Sequence, residues 1–600
     1  MPTILDSQYE KEPLAATIAD KWVLWNGNRS TWMQEKKELR QYLFATSTRS
    51  TTNAQLPWKN STVTPKLTQI RDNLHANYIA ALFPREQWFR WQAGDRQSVN
   101  IKKRDAIEAY MRTKLESSDF EEVVSELVLD YIDYGNVFAG HEWVVQKKLD
   151  PITNQEVTTF AGPRIYRISP LDVVIDPTAP SVADSPLIVR RLVSIADLEK
   201  EIQSKPLLQY DPSVLERVRG IRVAAQDMVD AIKGDGLAVD GFGSVEQYFS
   251  SGMVELLDFY GDVYDATTAS FHKDIIATVV DRRWMLRCAP NPSWTGDRPI
   301  KHVGWRLRPD NLWAQGPLDQ LVGMQYRIDH LENLKADVFD QIAHPVVEIK
   351  GTTVENFQFG PGVQFHSGDE GSIVFHRPDA AALSADMEIQ TLMNRMEELA
   401  GAPRQAMGIR TPGEKTAYEV QVLENGAGRI FQSKVSWFER NLLEPTLNSM
   451  LEESVRNMGT SDVVRVVDAD FGTEDFVTVM KTDIVAKGKF KAIGARHFAE
   501  AARATQEITQ TLQLAQQIDS IKPHISGKAV AHMLAETLGW KSFGIVQDNI
   551  AITEGAETQR LVQAAAETIE TEAAIPSELQ DEDFVPRNEN EQPINEAPPV

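Results

Sequence analysis

Apolar residues recur along this chain in two periods, and the change of period divides it. Ile18, Trp22, Trp25, Leu39 and Leu43 fall at near-helical spacing and predict one helix over 14–44. A second helix is predicted over 65–83, with Leu67, Ile70, Leu74, Tyr78 and Leu82 on one face. It ends at Phe83-Pro84, because proline cannot continue an interior turn. Two more helices are expected over 104–116 and 119–133. Past Tyr134-Gly135 the period falls to two. Strands are predicted at 137–147, 164–168, 172–176, 187–193, 253–262 and 273–288, with Asp150-Pro151 and Asp176-Pro177 as turn formers. The stretch 205–250 reads as partly helical, with a loop at its glycine-rich end (Gly234, Gly236, Gly241, Gly243). Runs of strands flanked by runs of helices predict an α+β body.

The segment 316–458 has a distinct plan. Gly316-Pro317 opens a helix with proline at its first position. Leu318, Leu321, Met324, Ile328, Leu331, Leu334, Val338 and Ile342 then recur at threes and fours until His344-Pro345. At 1.5 Å per residue this makes a rod of about 42 Å. Alternating stretches at 346–350, 354–359, 363–366 and 372–376 follow, separated by Gly351, Gly360-Pro361-Gly362 and Gly368, the punctuation of a β-meander. The next helix covers 384–400, with Ser384 as its candidate N-cap. Its Ala385, Ile389, Leu392, Met396 and Leu399 alternate by four and three, a stripe of the coiled-coil type. It stops at Gly401. A loop of small residues with Pro403, Arg404, Gln405, Met407, Gly408, Ile409 and Arg410 leads to Thr411-Pro412-Gly413-Glu414. There Thr411 and Glu414 form a capping box. A long helix runs on to about Asn457, with a kink expected at Pro445. Strands at 462–468 and 475–480 and Ala-, Gln- and Glu-rich helices at 498–519, 527–538 and 555–574 complete the plan. Residues 581–600 read as a disordered tail, and no internal repeat is visible.

Composition narrows the class. A chain of 600 residues exceeds what one core supports, so two to four substructures are expected. With 42% hydrophobic and 25% charged residues it reads as a soluble globular protein. The first residues show no secretory signal and no window predicts a membrane span. Cys288 is the single cysteine, which excludes an intrachain disulfide and argues against a cysteine zinc site, and points to folding in a reducing cytoplasm. The formal net charge is -24, and Glu567 to Val600 alone hold ten acidic residues and one basic residue. No basic run exceeds Lys102-Lys103-Arg104. Charge leaves two readings open: a solvated acidic surface, or a protein that touches nucleic acid without gripping it.

Catalytic patterns are missing. The chain has no GxxxxGKS/T loop, no GxGxxG after a predicted strand and no GxSxG elbow, and His141-Glu142 lacks the second histidine of a zincin. Asp468-Ala469-Asp470 reads as an exposed turn rather than a magnesium site, and Cys288 as a small buried side chain. The expectation is a protein that is not an enzyme and takes no cofactor or metal.

Several segments resemble, in order and spacing, the portal proteins of tailed bacteriophages, particularly the short-tailed ones. They are Arg71-Asp72-Asn73-Leu74 with Leu82-Phe83-Pro84 and Trp88-Phe89, and Ile168-Ser169-Pro170-Leu171-Asp172 with Ile175-Asp176-Pro177. Then come Gly316-Pro317-Leu318-Asp319 with Gln325, Leu331, Asn333 and Asp337, and Pro412-Gly413-Glu414-Lys415-Thr416-Ala417-Tyr418-Glu419-Val420 with Arg429 and Phe438. The likeness covers roughly 65–460. It implies a portal fold in a closed ring of twelve subunits at one capsid vertex, assembled in the host cytoplasm and carried in the virion. A strand-rich wing would occupy 1–316. Stem helices would occupy 317–344 and 384–400, packed through Leu321, Met324, Ile328, Leu331 and Val338 against Ile389, Leu392, Met396 and Leu399. A clip at 345–383 would offer Lys350, Phe357, Phe359, Phe365, His366 and Phe375 to the tail adaptor and the terminase packaging motor. A tunnel loop at 401–413 would face the channel, 414–497 would hold the long kinked helix and return to the wing, and 498–580 would form the crown. The implied partners are the major capsid protein, the tail adaptor, the terminase and double-stranded DNA, with no membrane.

A conduit must not bind DNA tightly, so a mostly acidic wall with few cations suits sliding. Arg404, Arg410 and Lys415, beside Gln405 and Met407, are the candidates for transient phosphate contacts; surface charge or an inter-subunit ion pair is the plainer reading of each. Rival classes are another phage head or neck protein and a DNA-processing enzyme, which would show carboxylates clustered on strands beside a basic cleft. The tail's composition buries too little apolar area to offset the entropy of ordering it. Truncation after Gln580 is therefore expected to leave the sedimentation behaviour of the assembled protein unchanged.

Overall fold

A computed structural model describes residues 4–56, 59–84, 88–94, 101–149, 155–204, 208–220, 253–344, 346–350, 372–376, 384–400, 430–467, 474–485 and 487–494. The chain divides into a unit of Met1–Val466 with Phe476–Glu500 and another of Val467–Asp475 with Ala501–Val600, and nearly all described residues belong to the first. It is an α+β protein. In chain order its elements begin β1 (Leu5–Ser7), α1 (Lys11–Asn28), α2 (Ser30–Phe44), α3 (Lys66–Leu82), β2 (Phe89–Ala93), α4 (Ile101–Glu116) and α5 (Phe120–Asp133). The strand-rich part holds β3 (Asn136–Leu149), β4 (Glu156–Ile168), β5 (Val173–Ile175), β6 (Leu187–Ser194), α6 (Ile195–Ser204), α7 (Pro212–Gly220), β7 (Met253–Asp265), β8 (Ser270–Val280), β9 (Trp284–Pro290), β10 (Ile300–Gly304), β11 (Arg306–Arg308) and β12 (Asn311–Gln315). Then follow α8 (Val322–Ala343), β13 (Val346–Lys350), β14 (Ser372–His376), α9 (Asp386–Ala400), α10 (430–457), β15 (Ser461–Val467), β16 (Glu474–Met480), α11 (Lys481–Ile484) and β17 (Gly488–Ala492).

The helix expected over 14–44 is two helices. Asn26-Gly27-Asn28 are poor helix formers, and Arg29 at the junction turns inward. Its guanidinium donates to Pro170 O at 2.7 Å and to Leu171 O, inside one of the segments quoted above. The strand expected over 273–288 is a hairpin. β8 turns into β9 through Asp281 and Arg282, both left-handed (φ 46° and 59°), with Arg283 N–H donating to Val280 O at 3.0 Å. With no glycine in that turn, the sequence offers no cue for it.

The largest sheet runs in the order β5-β6-β7-β8-β9, antiparallel throughout, while β1 lies parallel to the far end of β7 with Leu5 opposite Val263. Ile18, Trp22 and Trp25 of α1 pack on Val174, Ile188, Leu257 and Phe259 of this sheet. A second sheet has β3 between β10 and β4. The main core lies elsewhere, among α3, α5, α8, α9 and α10, where Tyr131 sits edge-on to Tyr78 at 5.8 Å and against Phe438 at 5.1 Å. β2 pairs with β17, setting Trp91 opposite Phe490. β1, β2, β10–β12 and β17 were not expected, because each spans only three to five residues, too few to give a readable period.

Gly135 links α5 to β3, with the backbone of Gln315 and Gly316 close against it. It is left-handed (φ 70°), and a Cβ there would stand 2.3 Å from Gly316 N. Neither conformation nor space admits a side chain, so Gly135→Ala is expected to cost at least about 1 kcal/mol and to lower the thermal unfolding midpoint by several degrees.

Candidate functional site

The helix pair α8 and α9, with the hairpin between them, is the place to which the sequence assigns most chemistry. α8 begins at Val322, five residues later than Gly316-Pro317 suggested. Asp319 causes the delay: its Oδ2 accepts from Gly316 N–H at 2.9 Å and its Oδ1 pairs with the buried Lys36. This closes a turn that drives Leu318 and Leu321 fully into the core. The helix is 22 residues long, about 33 Å rather than about 42 Å.

α9 runs antiparallel to α8. Lys335 Nζ lies 2.6 Å from Asp386 Oδ1 and Arg327 Nε lies 3.2 Å from Glu388 Oε1, while Glu397, near the other end of α9, meets Lys66 at the start of α3. Leu321, Ile328, Leu331, Ile389 and Met396 are buried in the main core, with Met324 and Leu392 half-buried against it; Val338 is buried outside that cluster. Leu399 departs from the expected packing, being 47% exposed, and Ala400 is buried in its place. A straight helix turns 3.6 residues per turn, so a stripe written at 3.5 drifts off the contact within a few turns. Leu334, Phe339 and Met387 are exposed as well.

The polar side chains of α8 form a row that the sequence reading did not join together. Gln325, Asp329 and Asn333 are fully buried and Asp337 follows at the same spacing of four. Together they hold the irregular chain 60–65 and the first turn of α3. Leu67 N–H donates to Gln325 Oε1 (3.1 Å), Thr64 N–H to Asp329 Oδ1 (2.9 Å), Thr62 N–H to Asn333 Oδ1 (2.8 Å) and Asn60 N–H to Asp337 Oδ1 (3.0 Å). In return Gln325 Nε2 donates to Thr64 O (2.5 Å) and Asn333 Nδ2 to Thr62 O (2.7 Å). Gln325, Asn333 and Asp337 were singled out in the sequence only through the portal resemblance. Their spacing by four on one helix was the available signal. Arg71, from another quoted segment, makes a two-pronged contact with Asp133 at 2.7 and 2.9 Å, tying α3 to α5.

β13 and β14 pair antiparallel, with Val347 opposite Phe375 and Lys350 opposite Ser372. Lys350 and Phe375 are placed by their backbone alone. Phe357, Phe359, Phe365 and His366, and the strands expected at 354–359 and 363–366, lie outside the described residues. So do Arg404, Gln405, Met407, Arg410, Thr411, Glu414 and Lys415, the segment 401–429, the Gly-rich stretch ending at Gly243, and everything beyond 494. Where a kink was expected at Pro445, α10 has a π turn at Glu439–Leu443 just before it. Proline supplies no N–H to the preceding turn, and the wider turn absorbs the gap. Among the described residues no group of three or more His, Cys, Asp or Glu is placed to hold a metal ion, and no helix is long and apolar enough to cross a membrane.

Compared with known proteins, the chain matches no protein-family model and no curated protein.

The polar row has one weak point. Asp329 Oδ2 is buried without a hydrogen-bond partner. Burial pushes the carboxyl up to about 6, against the lowering effect of the Thr64 and Gln325 donors. A raised folded value means that the folded protein holds this proton more tightly than the unfolded chain does. The resulting penalty on the ionised form is absent below about pH 4 and complete above about pH 6. Asp329→Asn keeps the acceptor for Thr64 N–H and removes the titration. The difference in melting temperature between variant and wild type is therefore expected to shift in the variant's favour as pH rises from 4 to 6, and a flat difference would contradict the assignment.

Proposed function

We propose that this chain is a portal subunit of a tailed, short-tailed-type bacteriophage: a structural protein that assembles into a ring at one capsid vertex and passes double-stranded DNA during packaging and ejection. The observation that carries the reading is the succession of α8, the β13–β14 hairpin and the antiparallel α9. This is the order that a stem, clip and returning stem require. It is supported by what the pair leaves uncovered. Leu334 and Phe339 on α8 and Met387 and Leu399 on α9 are exposed in the single chain, and a neighbouring copy in a ring offers them cover.

On this reading the hairpin end meets the tail adaptor and the terminase, the outer body meets the major capsid protein, and the loop 401–413 borders the channel. The acidic balance of 86 Asp and Glu against 62 Lys and Arg suits a wall along which DNA slides. The chain acts mechanically, and the driving force for packaging belongs to a separate ATPase. Its place is the virion, after assembly in the host cytoplasm.

Negative-stain images of the purified protein are expected to show rings with a hole on the order of 20 Å or wider, the width of a duplex. Arg404→Ala combined with Arg410→Ala is expected to leave rings intact and to shorten the encapsidated genome or its retention. A double variant that melts the ring and spares packaging would make these arginines interface struts.

A further inference from the structure

Where α10 crosses the connection from β10 to β11, two cations share one indole. Lys434 Nζ lies 4.7 Å from the centre of the Trp305 ring and donates to the Trp305 carbonyl, and Arg306 Cζ lies 5.1 Å from the same ring. Trp305 is itself buried, and its Nε1–H donates to Tyr78 OH at 3.1 Å, so the indole is fixed from behind. Among the described residues no carboxylate pairs with either cation. Burial, and then the nearby Arg306 charge, hold the Lys434 ammonium below the ordinary lysine range. Both cations are half-buried, whereas elsewhere among the described residues Lys36 pairs with Asp319, Lys66 with Glu397 and Arg191 with Asp258. Two half-buried like charges on one ring, with no counter-ion among the described residues, are a place where an arriving anion gains free energy.

The surroundings are apolar. Ile430, Lys434 and Trp437 recur at four and three on one face of α10. Ile430 is 59% exposed and Leu307, beside Arg306, is 55% exposed. Trp437, 37% exposed, is held by its Nε1–H on Gly304 O at 3.2 Å.

We infer that this patch is a contact between two copies of the chain, in which a carboxylate of the second copy enters beside Arg306 and Lys434 while its surroundings cover Leu307, Ile430 and Trp437. The inference rests on the ring reading and adds to it where one subunit grips the next and by which chemistry. A second copy is favoured over nucleic acid on two grounds. Tracking a phosphate backbone takes a row of cations rather than two, and a hydrated backbone leaves exposed leucine and isoleucine uncovered. The partly exposed Trp437, held on Gly304 O, with Arg306, Leu307 and Ile430 around it, has the composition of an interface hot spot. The chain's 86 acidic side chains make carboxylates plentiful on any second copy.

The test uses the full-length protein. Isotope-labelled and unlabelled protein are mixed, assembled and treated with a carbodiimide, which joins lysine amines to carboxylates in direct contact. Peptide mass spectrometry is expected to find Lys434 joined to an Asp or Glu of the other copy. Arg306→Glu and Leu307→Asp are each expected to raise the concentration for half-assembly about tenfold or more, with subunit unfolding unchanged, and Lys434→Met to abolish the adduct. Rings that form at wild-type concentrations in both variants, with no inter-copy Lys434 adduct, would overturn the inference and leave the ring reading standing. Wild-type protein that sediments only as the 67.3 kDa chain would remove the ring reading and the inference with it. Protection of Lys434 by duplex DNA, with assembly unaffected in the variants, would reassign the cations to phosphate.

Discussion

The organisation of the helical core depends on one set of contacts, the polar row of α8 reading the backbone of residues 59–67. Residues 59–65 lie in no strand and no helix, yet they must lie against the core to deliver α3. Backbone N–H and C=O groups pressed against protein without partners each cost on the order of 1–3 kcal/mol. Gln325, Asp329, Asn333 and Asp337 supply those partners at intervals of one helical turn. An apolar stripe in their place would pack as densely and leave the strap unsatisfied. Gln325 also accepts from Leu67 N–H in the first turn of α3, where a helix has no internal acceptor. Lys66, one residue earlier, meets Glu397 of α9. The start of α3 is thus the point where three helices are tied together.

This arrangement has consequences for what the helix pair can do. The first half of α8 is rooted, because every turn of it is bonded to the strap or buried in the core. Its far end carries β13, and α9 returns from β14 through the ion pairs of Lys335 and Arg327. On the proposed reading a rooted pair transmits load between the hairpin and the body, which a pair held by exposed salt bridges alone would do poorly.

The strand-rich part is joined to the helices by α10 in a similar manner. Glu452 accepts from Trp294 N–H at 2.5 Å and from the hydroxyls of Ser293 and Thr295 at 3.0 and 2.9 Å, and Arg456 donates to Pro292 O at 2.9 Å. Nearby, Glu453 lies 3.2 Å from His141 Nδ1 on β3. Three polar residues on one helix therefore set the loop between β9 and β10 and one strand of the second sheet.

Much of this was determined by local sequence. The helices α3, α4 and α5 follow from period, because each buries one face; β3, β6 and β7 stand where strands were predicted, although runs of consecutive residues in them are buried on both faces. The order of α8, a β insert and a returning α9 follows from apolar spacing, with strands described at 346–350 and 372–376, the first and last of the four expected stretches. Tertiary structure decided the rest. It placed Arg29 where its guanidinium could reach carbonyls near residue 170, and so cut one helix into two. It engaged Asp319 with Lys36 and so delayed α8. It let Asp281 and Arg282 turn left-handed without glycine, and it paired β2 with a strand about four hundred residues away. Each of these depends on a partner distant in the chain. So does the polar row: four polar residues spaced by four look like a solvated helix face until the strap that they bind is in place. Periodicity reports which side of an element is dry, whereas the identity of a hydrogen-bond partner is a property of the folded chain.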